Sequence, residues 1–238
     1  ITANNVFAHI DDLQNIVKNV DNVLVNGGLF IIEVSYLLDM IKSNSFDSIY
    51  HEHLSYHSLL PLKSFFENFG YQIIDVQKIN THGGSIRVFL KKTTFKTNSI
   101  NLHSLIKKEK IFYKLLDKKL LRFINNTRNL EKKIVNELKS NYFIGYGCPA
   151  KAMTFIFNIK LNYKKMRFII DDNKLKQNKY IPIKNIPIAN SKYLVNSDIP
   201  YILIFSWNVF EDIIKRNKKF FKGKTIIVPL PKFKKIKC

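Results

Sequence analysis

Leu29 to Val34 is a run of six residues in which Glu33 supplies the only polar side chain. Successive side chains of a strand point to opposite faces, so a strand that is apolar throughout has no face to turn toward water. It must lie in a sheet covered on both sides, which calls for an α/β architecture. The surroundings agree. Ile10, Leu13, Ile16, Val17, Val20, Val23 and Leu24 recur at helical spacing behind Asp11 and Asp12, and Asn26, Gly27 and Gly28 close that helix. Pro61 to Phe69 has helical periodicity and stops at Gly70. Tyr71 to Ile79 and Ile86 to Leu90 then read as strands joined by a turn of Asn80, Thr81, His82, Gly83 and Gly84. Strand, helix, strand, helix and a closing strand pair make the back half of a doubly wound, Rossmann-like sheet over residues 1–98. The chain opens at Ile1, without an initiator Met and already in a strand or its exit loop, so the front half is expected upstream.

Residues 101–140 have another texture. Leu102, Leu105, Ile106, Ile111, Leu115, Leu116, Leu120, Phe123, Ile124, Leu130, Ile134 and Leu138 recur every three or four positions among many Lys, which predicts one long helix or two in succession. We take 99–140 as a helical connector. The αβ rhythm then restarts with strands at Tyr142 to Tyr146, Phe168 to Asp171, Tyr201 to Phe205 and Thr225 to Val228, giving a second Rossmann-like domain over 141–238. With 238 residues, 46% of them hydrophobic, the chain is long enough for two modest cores.

Charge and cysteine content narrow the setting. Residues 1–100 carry eight basic and nine acidic side chains, whereas 101–238 carry 31 and nine, so the whole excess of +21 belongs to the second part. It is built from 34 Lys and only five Arg, the residue that reads bases and phosphates bidentately, and no basic run is interleaved with aromatics. These features argue against nucleic acid as the partner and leave two readings, solvated Lys on helix faces or an electropositive cleft for a phosphorylated ligand. Polyanion binding by the Lys-rich part would show itself by a steep loss of affinity with salt. Cys148 and Cys238 are too few for a disulfide framework, and the setting expected is reducing and cytoplasmic. Every apolar run is far below the roughly 18 to 20 residues of a bilayer span, so no membrane partner is expected.

Chemistry concentrates in Tyr50, His51, Glu52, His53, Leu54, Ser55, Tyr56 and His57, which hold three of the six histidines. The group follows the polar stretch Ser43 to Ser48 and lies on a loop outside the carboxyl edge of the parallel strands, where open αβ sheets bind ligands. A zincin helix would need His three residues after Glu52, and that position is Ser55. A metal held by His51, His53 and His57, acid–base chemistry from an imidazole beside a carboxylate and a phenol, and a merely polar loop all remain open. His9 alone reads as a core or helix-cap histidine. Glu33 interrupts a buried strand and needs a partner. Thr81 to Ser85 is either an anion-binding nest or a plain turn. Gly145, Tyr146, Gly147, Cys148, Pro149, Ala150 and Lys151 join a strand to a helix as a shortened dinucleotide fingerprint, and Lys151 at that helix start makes a phosphate seat.

Three segments together resemble the S-adenosylmethionine-dependent sugar C-methyltransferases: Ala3 to Asp12, Phe46 to Ser58 with its Tyr-His-Glu-His-Leu-Ser-Tyr string, and Thr81 to Val88. Gly145 to Lys151, Asp171 to Lys174, Tyr180 to Pro187, the region of Trp207, and Val228 to Pro231 resemble the carboxyl-terminal domain of such enzymes. The resemblance implies that residues 1–98 are the carboxyl-terminal half of a methyltransferase domain. It also implies that 141–238 form a substrate domain for a nucleoside-diphosphate-linked keto-deoxysugar.

It further implies that His53 is the general base taking the proton from the carbon beside the keto group, with Glu52 and Tyr50 as its neighbours. His9 matches the active-site His at the end of the fourth strand. Lys151, His82 and Tyr146 are implied in substrate binding and Asn5 in cofactor binding. The zinc ligands, the Gly-rich loop and the acidic residue that grip the rest of the cofactor in this family fall upstream of Ile1. On this reading the chain is a fragment of such an enzyme, with S-adenosylmethionine as its cofactor and zinc confined to the missing region. The alternative is a non-catalytic nucleotide-sugar binding module or an inactive relic.

Overall fold

The structure is a computed structural model that describes residues 1–81, 83–95, 99–182, 185–194 and 197–238. The chain divides into two compact units, one of residues 1–42 and 51–123, the other of 43–50 and 124–238.

The first unit is built on a four-stranded sheet, β1 (Thr2–Asn4), β2 (Leu29–Ser35), β3 (Tyr71–Ile79) and β4 (Ser85–Lys92), ordered β1-β2-β4-β3. β1 and β2 are parallel, and the β3–β4 hairpin closes the sheet antiparallel to β2. β2 is the buried run of the sequence, with Phe30, Ile32, Glu33 and Val34 all excluded from water. Helix α1 (Leu13–Val23) starts where the Asp12 carboxylate accepts from Asn15 N–H, and it buries Val17 and Val20. Val23, which fits the helical period, is the last residue of the helix and is exposed. Helices α2 (Leu37–Lys42) and α3 (Leu59–Glu67) follow β2, and Leu59, Leu62 and Phe66 join the core of Phe7, Phe30, Tyr71 and Val88.

Helix α4 (Ile100–Lys114) is capped by Ser99 Oγ accepting from Leu102 N–H, and it buries Leu102 and Leu105 in the same core. Helix α5 (Leu116–Leu138) follows after a single break at Leu115. Leu130, Ile134 and Leu138, each four residues on from the last, form the buried stripe of α5 among its charged neighbours.

The second unit holds a six-stranded sheet of β5 (Phe143–Tyr146), β6 (Met166–Ile170), β7 (Ile188–Ala189), β8 (Tyr201–Ile204), β9 (Thr225–Val228) and β10 (Lys234–Lys237). Its order is β10-β9-β8-β5-β6-β7, parallel except for β10. Helix α6 (Ala150–Asn158) connects β5 to β6, and α7 (Phe210–Arg216) and α8 (Lys218–Phe221) connect β8 to β9. The chain moves outward from β5 on one side through β6 and β7, then crosses to β8 on the other. The carboxyl ends of β5 and β8 therefore flank the point where strand order reverses, the crevice at which doubly wound sheets bind ligands. Among the described residues no helix is long and apolar enough to cross a membrane.

Gly147, just past β5, has φ +83°, and a Cβ built there would stand 2.0 Å from Ser206 Oγ. Gly147→Ala is expected to cost about 3 kcal/mol, combining left-handed backbone strain with overpacking. Urea unfolding checks this, and a loss below about 1 kcal/mol would show that the turn re-forms around the methyl group.

Candidate active site

In the first unit β1 leads into a single turn, Phe7–His9, whose Phe7 ring is buried against Phe30 and Phe66. That anchor fixes the next two residues. The Ala8 carbonyl accepts from Leu54 N–H at 2.9 Å, and His9 Nδ1 donates to the Glu52 carbonyl at 2.6 Å. A carbonyl can only accept, so Nδ1 carries the proton, and neutral His9 keeps its lone pair on Nε2. The rings of His9 and His53 lie 5.0 Å apart, tilted at 41°, and Tyr56 stands edge-on to His53 with ring centres at 6.2 Å. His53 is half-buried, while His9, Glu52 and Tyr56 are exposed. Two imidazoles and a phenol thus share one accessible edge beyond β1, a set that can accept, hold and donate a proton near neutral pH. Glu52 brings its backbone carbonyl to His9, not its carboxylate. Tyr50 is half-buried in the 43–50 segment of the second unit.

His57 has a different environment. It is 7% exposed, its ring packs 5.6 Å from Phe7, and its Nε2 hydrogen-bonds the Ser55 hydroxyl at 3.0 Å. His53 faces His9 while His57 faces the core, and among the described residues no group of three His, Cys, Asp or Glu side chains is arranged to hold a metal ion. Burial pushes the His57 pKa down to about 4. The unfolded residue, near 6.5, binds more protons between those values, so its share of stability is full above about pH 6.5 and is lost toward pH 4, about 3 kcal/mol in all. Replacing His57 by Phe should flatten that part of the stability profile, measured as urea midpoints from pH 7 to 4. An unchanged slope would exclude His57 as its source.

Glu33 has the partners its burial requires. Arg87 Nη2 and Nε donate to Oε2 at 2.8 and 3.1 Å, and the Thr81 hydroxyl donates to Oε1 at 3.2 Å. Burial raises its pKa, but the hydrogen bonds from Arg87, Thr81 and Asn5 outweigh it and hold the carboxyl below its ordinary value. Asn5 has φ +53°, is exposed, and pairs its N–H with the Glu33 carbonyl at 2.8 Å. Glu33 therefore ties the exit of β1 to β4 and to the β3–β4 turn. Sequence reasoning flagged its need for partners but could not name them. In that turn Gly84 N–H is spent on the Thr81 carbonyl, and a Cβ at Gly84 would run into Asp39. His82 lies outside the described residues.

In the second unit Lys151 stands in the first turn of α6. Its Nζ donates to Asn208 Oδ1 at 3.1 Å and sits 4.4 Å from the centre of the Trp207 ring. Asp47 Oδ2 is 3.9 Å away. Burial pushes the Lys151 pKa down, and Asp47 opposes the shift. Tyr146 is buried; its hydroxyl donates to Asp172 at 3.2 Å, accepts from Asn217 Nδ2 at 2.8 Å, and is pushed up to about 12, chiefly by burial. Asp171 accepts from Cys148 N–H at 2.7 Å and so fastens the Gly147 turn to the end of β6. Asp171 and Asp172 entered the sequence reading only within a strand or a resembling segment, and Asp47, Asn208 and Asn217 were given no role there, since single Asp and Asn residues carry no periodic signal.

Comparison with known proteins now gives these features a class. A methyltransferase domain matches residues 1–76, which makes the first unit's parallel strands and helices part of a Rossmann-like methyltransferase fold. The C-methyltransferase C-terminal domain matches residues 80–231, and the C-methyltransferase NovU of Streptomyces niveus is 33% identical over 235 residues, 94% of this chain and 55% of that protein. The chain belongs to the C-methyltransferase family. It spans about half the length of the curated relative it matches.

Proposed function

We propose that this chain carries the proton-abstraction machinery of an S-adenosylmethionine-dependent C-methyltransferase acting on a nucleotide-linked keto-deoxysugar. The observation that carries the reading is the His9–His53 ring pair at 5.0 Å on the open edge beyond β1, in a chain one third identical to a C-methyltransferase. His53 is the general base for the carbon beside the keto group. His9, held through Nδ1 by the Glu52 carbonyl with its ring 5.0 Å from that of His53, relays or holds the proton. Tyr56 and Tyr50 supply phenolic donors for the enolate oxygen, and Glu52 sets the loop through its backbone. Lys151, Tyr146 and His82 belong to substrate binding, with the net-positive second part favouring the two phosphates. The domain division proposed with it is a methyltransferase part over 1–98, a helical connector over 99–140 and a substrate domain over 141–238.

The edge where the methyl donor is needed offers the exposed polar Asn5 beside the exposed apolar Val6, a pairing that fits a nucleoside-bearing sulfonium. Asn5 would hold the cofactor there, and when bound it supplies the electrophilic methyl group. The test is proton exchange, which needs no methyl donor. A keto-deoxysugar nucleotide incubated with the protein in deuterium oxide should exchange the hydrogen on the carbon beside its keto group, followed by NMR. Binding without exchange would favour a non-catalytic sugar-nucleotide module.

A further inference from the structure

Asp47 is a buried carboxylate with no task in that chemistry. It lies in the single turn Phe46–Ser48, is 1% exposed, and packs with the second unit. Oδ2 accepts from the Trp207 indole N–H at 2.7 Å and lies 3.9 Å from Lys151 Nζ. Oδ1 is buried with no hydrogen-bond partner. Burial pushes the carboxyl up, against Lys151 and the indole. The neighbours of Asp47 are seated on the same unit: Phe46 packs 5.5 Å from Phe155, the Thr154 hydroxyl donates to the Ile49 carbonyl, and Asn44 Nδ2 donates to Thr127 Oγ1 at 3.1 Å.

The place where this segment is seated gives it meaning. Lys151 follows β5, Trp207 and Asn208 follow β8, and these strands flank the reversal of strand order. Asp47 thus meets residues that follow the two strands flanking the position where a doubly wound sheet ordinarily receives a ligand. The 43–50 segment runs straight into the loop that carries His51, Glu52 and His53. We propose that Asp47 is a positioning residue, pinning the 43–50 segment into the β5–β8 crevice through Trp207 and Lys151 and thereby fixing the entry of the His51–His53 loop. The inference rests on His53 as the base, since misplacing a reacting group by about 1 Å can cost about 10²-fold in rate.

Trp207 is the chain's sole tryptophan, so intrinsic fluorescence reads the pin directly. In Asp47→Ala the emission should shift to the red, and amides of residues 43–53 should exchange with deuterium at least tenfold faster by mass spectrometry while β2–β4 amides keep their rates. The His53 ring resonance should move away from the position set by the His9 ring while that of His57 stays. Asp47→Asn, which keeps an acceptor for the indole, should restore most of the protection. Should Asp47→Ala fail to fold, Trp207→Phe removes only the donor and should give the same faster exchange. Unchanged exchange over 43–53 and an unmoved His53 resonance in a folded variant would overturn the pin. These readouts need no turnover, so they separate this proposal from the base assignment: loss of substrate exchange in His53→Ala tests the base alone.

Discussion

His53→Ala is expected to slow deuterium exchange at the carbon beside the keto group by 10²- to 10⁴-fold, the usual contribution of a positioned general base. The KM for the sugar nucleotide should change little, because the imidazole touches the proton in flight and not the phosphates or base. The pH profile should change as well. Any limb of the parent profile that belongs to the general base should vanish in the variant. His9→Ala should give a smaller loss, since it removes the neighbour and its hold on Glu52 but leaves the base. If His53→Ala exchanges substrate at the parent rate, proton abstraction lies elsewhere and the proposed mechanism falls.

The second large effect concerns Glu109, on α4. It is fully buried, and its two oxygens accept from the first N–H groups of α3, Leu59 at 2.6 Å and Leu60 at 2.7 Å. A helix start carries unsatisfied donors and partial positive charge, and a carboxylate satisfies both. Ser58, the residue usually expected to cap this helix, makes no cap bond and instead pairs its hydroxyl with Tyr113 OH at 2.5 Å, again from α4. The exit of the His51–His57 loop is thus held by the helix that follows the sheet. Glu109→Ala strips two buried N–H groups of a charged acceptor and is expected to cost roughly 3 to 5 kcal/mol, with Glu109→Gln losing about half because one acceptor oxygen remains. Urea midpoints decide it, and a loss under 1 kcal/mol for the Ala variant would mean water replaces the carboxylate.

Much of this fold is legible along the chain because burial repeats with the period of the backbone. The apolar run at Leu29 to Val34, the helical stripe before it and the strand at Tyr71 to Ile79 were all found from that signal, with boundaries within a few residues. β10 was not, because Lys-Lys-Ile-Lys has no apolar face; it is an edge strand, where Lys is tolerated and even protective. β7 escaped because two residues carry no period.

The candidate site divides in the same way. Its histidines were visible as a cluster, but local sequence could not tell His53 from His57, which differ by four positions and by environment. Packing against Phe7 makes one a buried, neutral structural group, while the exposed His9 gives the other an imidazole partner 44 residues away. Sequence alone determined the α/β class, the family and the segment in which the histidines cluster, since these follow from periodicity and from residue types in fixed order. Which imidazole faces which, what neutralises Glu33, and which donors the buried carboxylates of Asp47 and Glu109 meet were decided only by the tertiary structure. Hydrogen bonds and burial depend on distances that chain separation does not encode.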